Sequence, residues 1–148
     1  MHWHITVSPS PIRVQHNRDA VHARRIALSA AYPARHRPFG CGQVDRASGA
    51  LLEQQYLPAA YHQASIRHID VNAQGQVALA MQFEGEQFLS VPLLATHSRG
   101  EALRLMQAPE QVQSQLEQYV GSIRYDESGR FLVASCPRAN LLTFWDGV

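Results

Sequence analysis

The stretch Tyr61-His62-Gln63-Ala64-Ser65-Ile66-Arg67-His68-Ile69-Asp70 gathers two imidazoles, a guanidinium and a carboxylate within ten residues. Imidazole nitrogens and a carboxylate are donors that a transition metal accepts. His62, Arg67, His68 and Asp70 are therefore the candidate ligand-binding residues, with the identity of any metal unknown. Against a metal, the two His lie six positions apart on a segment that passes from loop to strand, which fixes no common facing. Asp70 shares an alternating face with His68, and it can equally cap the turn that follows. A structural hydrogen-bonding role is the stronger reading of the cluster. His97, in a turn, has less claim.

Nucleophile chemistry finds no footing, since no G-x-S-x-G, G-x-x-x-x-G-K-[ST] or H-E-x-x-H motif occurs in the sequence. No catalytic residue is assigned and no cofactor is called for. Cys41 and Cys136 lack the close spacing of a zinc or redox site and read as two independent thiols. Cys136, ahead of Pro137, reads as a small buried hydrophobe.

At 148 residues, 45% apolar and 17% charged, the chain is long enough for one domain with a substantial core. The formal charge of +1, with no basic run, gives no electrostatic case for nucleic acid or an anionic membrane surface. All 13 Lys and Arg positions are Arg, and they are not clustered into a recognition surface. No apolar run approaches the ~20 residues of a membrane span.

Two regions differ in texture. Residues 1–42 are rich in His, Arg, Pro and Ser and show little periodicity, so a weakly structured or non-homologous arm is expected there. Its Arg24-Arg25 pair resembles the start of a twin-arginine export signal, but the apolar stretch behind it ends at Ala31, short of what such a signal needs. From Gln43 onward, short apolar runs alternate with Gly-containing polar turns, the pattern of consecutive antiparallel strands.

The turns are specific. Asp45 can accept main-chain N–H bonds while Gly49 supplies a positive φ, and the same design is expected at Asn72-Ala73-Gln74-Gly75 and Glu127-Ser128-Gly129. Placing Gly75 over Gly129 brings Ile69 onto Ile123, Val71 onto Tyr125, Val77 onto Phe131 and Leu79 onto Val133, which reads as an internal repeat. Between the copies, strands are expected at Phe88–Ala95, an outer one because it contains Pro92, and at Glu101–Met106, joined by a turn at Gly100. A helix is expected from Pro109 to about Tyr119, with Gly121 as its stop.

A four-stranded meander repeated in this way is the texture of a β-propeller blade. Val44–Tyr56 would supply the last two strands of one blade, Ser65–Met106 a whole blade, and Val120–Trp145 three strands of the next. The expected fold is thus mainly β: a partial WD40-like propeller of about two blades over residues 43–148, with one inserted helix. Trp145 would pack between blades and Asp146 would open a further turn.

The segments "VDRASGALLEQ", "HQASIRHIDVNAQGQVALAMQFEG", "HSRGEALRLMQAPE" and "YVGSIRYDESGRFLVASCPRANLLTFWD" resemble, in order and spacing, a bacterial family of WD40-like propellers, domain of unknown function 1513. The resemblance covers only the later part of full-length members. It implies the propeller fold and relatives often exported to the periplasm through a twin-arginine signal, whereas this chain shows no complete signal of that kind. It carries over no activity. A non-enzymatic binding scaffold for a protein or small molecule follows as the leading functional expectation. The rival is an enzyme or metal-binding propeller with its site at the channel mouth near His62, Arg67 and His68. Open blade edges, the Asn140–Trp145 strand above all, lead to an expectation of self-association.

Overall fold

The computed structural model describes residues 3–8, 14–17, 27–31, 40–45 and 47–147. Among the described residues the chain is mainly β, in three sheets. The first has the order β2-β1-β3-β4-β5, built from β1 (Trp3–Ser8), β2 (Val14–Asn17), β3 (Ala27–Ala31), β4 (Gly40–Val44) and β5 (Leu51–Tyr56). The second is a meander of β6 (Ala64–Val71), β7 (Val77–Phe83), β8 (Leu94–His97) and β9 (Arg104–Met106). The third holds β10 (Ser122–Tyr125), β11 (Phe131–Cys136) and β12 (Leu141–Asp146). Pairing is antiparallel in the second and third sheets, and in the first only β1 and β3 run parallel. In the described parts of residues 1–42 lie β1, β2, β3 and the start of β4, and β3 pairs with β4 from Ala27↔Val44 to Ala31↔Gly40.

The meander is the hydrophobic centre. Every residue of β7 and β8 is buried, because β7 has a strand on each edge and packed side chains on both faces. That is why β7 reads as a continuous run rather than an alternation. Ile123 and Leu132 of the third sheet join Leu79, Met81, Leu93, Leu94 and Leu116 among the fully buried side chains. Burying each such side chain stabilises the fold by ~1.5–3 kcal/mol. Toward the first sheet, Glu53 on β5 accepts the Gly100 N–H at 3.1 Å and lies 3.4 Å from Nε2 of the buried His97.

Four glycines take positive φ in hairpin turns as expected, Gly49 at 71°, Gly75 at 85°, Gly100 at 83° and Gly129 at 73°. Three of these turns share a side-chain cap. Asp45 accepts the N–H groups of Ala47 and Ser48, Asn72 those of Gln74 and Gln76, and Asp126 those of Arg130 and Phe131. At Gly129 the constraint is doubled, since an added Cβ would stand 2.7 Å from Gln74 Oε1 and 3.1 Å from Asn72 Cβ, whereas at Gly49 nothing lies within 4 Å. Gly129→Ala is therefore expected to cost ~2–3 kcal/mol and Gly49→Ala ~1 kcal/mol, read from paired denaturant melts. Equal losses would mean that the contact with Asn72 and Gln74 adds nothing.

Two expectations change on the far side of the meander. The strand expected over Phe88–Ala95 begins only at Leu94, and Phe88 is 81% exposed. Pro92 is not an outer-strand residue but lies just before the chain enters β8. The place beside the end of β7 that β8 vacates is filled by Gln118–Val120: Phe83 N–H donates to Gln118 O at 2.9 Å, and Val120 N–H to Met81 O at 3.0 Å. Because Tyr119 bridges Gln82 and Val120 bonds Met81, the helix cannot run to Tyr119. Only α1 (Glu110–Gln113) and a 3-10 turn (Ser114–Leu116) form, with Pro109 at the cap, and the left-handed Glu117 and Gln118 end them. Gly121 is not the helix stop. It sits where a Cβ would come 2.9 Å from Pro137 Cγ, and its N–H donates to Ser135 O as the third sheet begins.

Candidate binding site

The four residues singled out from the sequence go to three different places. His62 is exposed in a 3-10 turn, with Nδ1 3.2 Å from Ala59 O. Arg67 occupies a β-bulge between Ile66 and His68, a position that turns its side chain aside to Gln82 and to Glu84, 3.2 Å away. His68 and Asp70, by contrast, face the third sheet together. His68 Nδ1 lies 3.2 Å from the N and 3.1 Å from the O of Ile123, so either tautomer finds a main-chain partner. Asp70 accepts the Tyr125 N–H at 2.7 Å and stands 3.7 Å from Arg124 Nε. Asn72 completes the row by donating to Gly129 O at 2.8 Å. These side chains clasp β6 to β10 where no main-chain ladder joins the two sheets. Among the described residues no group of three or more His, Cys, Asp or Glu could hold a metal ion.

Burial, and secondarily the Asp70 charge, pushes the Tyr125 phenol well above its usual range, while its hydroxyl donates to Gln76 Oε1 at 2.9 Å. Both cysteines are buried free thiols. Burial pushes Cys41 up to about 11 and raises Cys136 as well. A thiolate is the reactive form, so neither should alkylate at pH 8 in the native protein, and both should do so in urea. Rapid native labelling of Cys136 would show that the third sheet opens locally.

Opposite the hairpin turns, three connections line a half-open cavity of about 560 Å³. The β7–β8 loop contributes Gln87–Val91 and Leu93, the β9–β10 connection Glu110, Gln113, Ser114, Glu117 and Gln118, and the β11–β12 turn Arg138. Its walls are held by amide side chains. The buried Gln113 donates to Val91 O at 2.6 Å and accepts the Ala108 N–H at 3.1 Å. Gln118 donates to Glu86 O and Leu89 O. Phe88 and Leu89 remain exposed at the cavity, and the Arg138 guanidinium lies 5.0 Å from the Tyr119 ring centroid. No motif announces this site, because its walls come from three connections distant in sequence. The signal available was Pro92 interrupting the apolar run Val91–Leu94.

Fold and site together define a mainly β protein whose second and third sheets are clasped at their first strands, with the connections at one end walling a cavity. Residues 40–148 match the protein family of unknown function DUF1513, and the chain belongs to that family. No curated protein matches the chain. Among solved structures it is similar, at 13% identity and a TM-score of 0.47, to the extracellular domain assigned to a hybrid two-component system of B. thetaiotaomicron. That similarity covers 93% of this chain and 18% of the other, so the chain spans under a fifth of that structure's length.

Proposed function

We propose that the chain is part of a WD40-like β-propeller and acts as a binding scaffold rather than as an enzyme, its ligand seated in the cavity walled by Phe88–Val91, Gln113, Gln118 and Arg138. The cavity carries this reading: about 560 Å³ falls within the ~300–1,000 Å³ of small-molecule sites, and its walls are fixed before any ligand arrives. The propeller reading is supported by the way successive meanders start. β6 and β10 lie side by side, and their hairpin turns meet through Asn72 and Gly129. The alternative, a metal or catalytic site near His62, Arg67 and His68, would require His68 and Asp70 to leave Ile123 and Tyr125.

Titrating the isotope-labelled chain with a mixed library of small fragments tests the reading. Saturable NMR shifts should cluster on Leu89, Gln113, Gln118 and Arg138. Shifts confined to His62 and His68, or stoichiometric metal retention lost in the His62→Ala/His68→Ala double variant, would overturn it in favour of the alternative.

A further inference from the structure

Resting on the cavity as the binding site, we propose that its ligand is an amphipathic organic cation, an ammonium or guanidinium group carried on an apolar body. The charged side chains in the lining are Glu110, Glu117 and Arg138, two carboxylates against one guanidinium. Arg138 is already engaged over the Tyr119 ring. Glu110 and Glu117 both lie exposed on the helix side of the cavity. The same lining holds Phe88, 81% exposed, and Leu89, 44% exposed. Carboxylates and an exposed aromatic ring lining one cavity are a chemistry that recognises a cation: a ring face attracts it through its quadrupole, and the carboxylates attract it by charge. An apolar body on the same ligand would cover Phe88, Leu89 and Leu93.

The backbone reinforces the assignment of this wall. Glu117 and Gln118 hold φ of 49° and 52°, left-handed in succession at non-glycine residues. The strain is balanced because Gln118 ties its side chain to Glu86 O and Leu89 O while its own carbonyl accepts from Phe83. Those bonds fix the loop bearing Phe88 and the turn bearing Glu117 relative to each other. Tying these two segments together lowers the entropy that binding must remove from this part of the wall.

The test uses the full chain and three probes of one shape: phenethylammonium, phenylacetate and 2-phenylethanol, followed by NMR and calorimetry. Phenethylammonium should bind at the cavity about tenfold more tightly than phenylacetate, with the alcohol between them. The Glu110→Gln/Glu117→Gln variant should abolish that order, Phe88→Ala should weaken the cation about tenfold, and Glu127→Gln, at the opposite end, should change neither. N-acetyl-arginine amide added as a competitor separates sources: displacement of the amine extends the site to basic peptide side chains, and its failure confines the site to small amines. Cavity shifts with phenylacetate binding equally or better would overturn the cation and leave the cavity reading standing. Shifts located elsewhere, or no binding by any probe, would overturn both.

Discussion

Asp70→Ala is expected to lower the unfolding free energy by ~3 kcal/mol, a large loss for a single polar substitution. Asp70 is 6% exposed, and its carboxylate accepts the Tyr125 N–H at 2.7 Å and lies 3.7 Å from Arg124 Nε. A hydrogen bond to a buried charged group contributes ~1.5–3 kcal/mol, and removing it strands the donor. The loss is amplified because no main-chain ladder spans β6 and β10, so each clasping side chain carries a share that sheet pairing carries elsewhere. Asp70→Asn keeps an acceptor oxygen and should lose about half as much. Alkaline pH gives a second readout. The Tyr125 phenol is raised in the folded state, so its contribution is intact below the unfolded value of ~10 and is lost as pH climbs above it. With Asp70 absent, one of the two causes of that raised value disappears, and spectrophotometric titration should place the Tyr125 transition lower than in the parent. An unchanged melt for Asp70→Ala would mean that apolar packing alone joins the sheets.

The hairpins were legible in the sequence because their turns obey local chemistry. An acidic or amide side chain three or four residues ahead of a glycine suffices to cap main-chain N–H groups and to admit a positive φ, and Asp45, Asn72 and Asp126 do this with no help from distant chain. The alternation of His68 and Asp70 was legible too, but not their target, since Ile123 and Tyr125 lie 55 residues away and periodicity carries no information about partners. The side-chain partners of Arg67 were illegible for a related reason: the bulge at that position breaks the two-residue phase on which the alternation depends. The helix and the Pro92 strand failed together. Both segments compete for the same edge of β7, and residues 118–120 win it because Pro92 has no N–H to offer a ladder. The cavity, formed where that exchange takes place, could not be read from any one of its segments.

Self-association through the third sheet is the second large effect. β11 and β12 present Leu142 and Phe144 on their outward face, 59% and 78% exposed, with Val133 opposite Phe144 in the register. Phe131, 48% exposed, lies at the same face opposite Asp146, its ring 5.0 Å from the Arg130 guanidinium. The inward face of the same sheet shows what such a surface accepts, because β10 packs its buried Ile123 against β6 and β7 of the meander. Among the described residues no strand pairs with the outer edge of β12, so main-chain donors and acceptors accompany the apolar face. Edges of that composition recruit other chains, and a lysine on the exposed face is a common means of preventing it. Light scattering from about 10 to several hundred micromolar should show a mass rising with concentration. Phe144→Lys should weaken association more than tenfold, since burying one phenylalanine is worth ~1.5–3 kcal/mol. Because Phe144 stands almost fully in solvent, the substitution should leave the melting curve of the dilute protein in place, which separates the surface effect from unfolding. A parent chain that stays monomeric across the series would show that this face is covered from within the molecule.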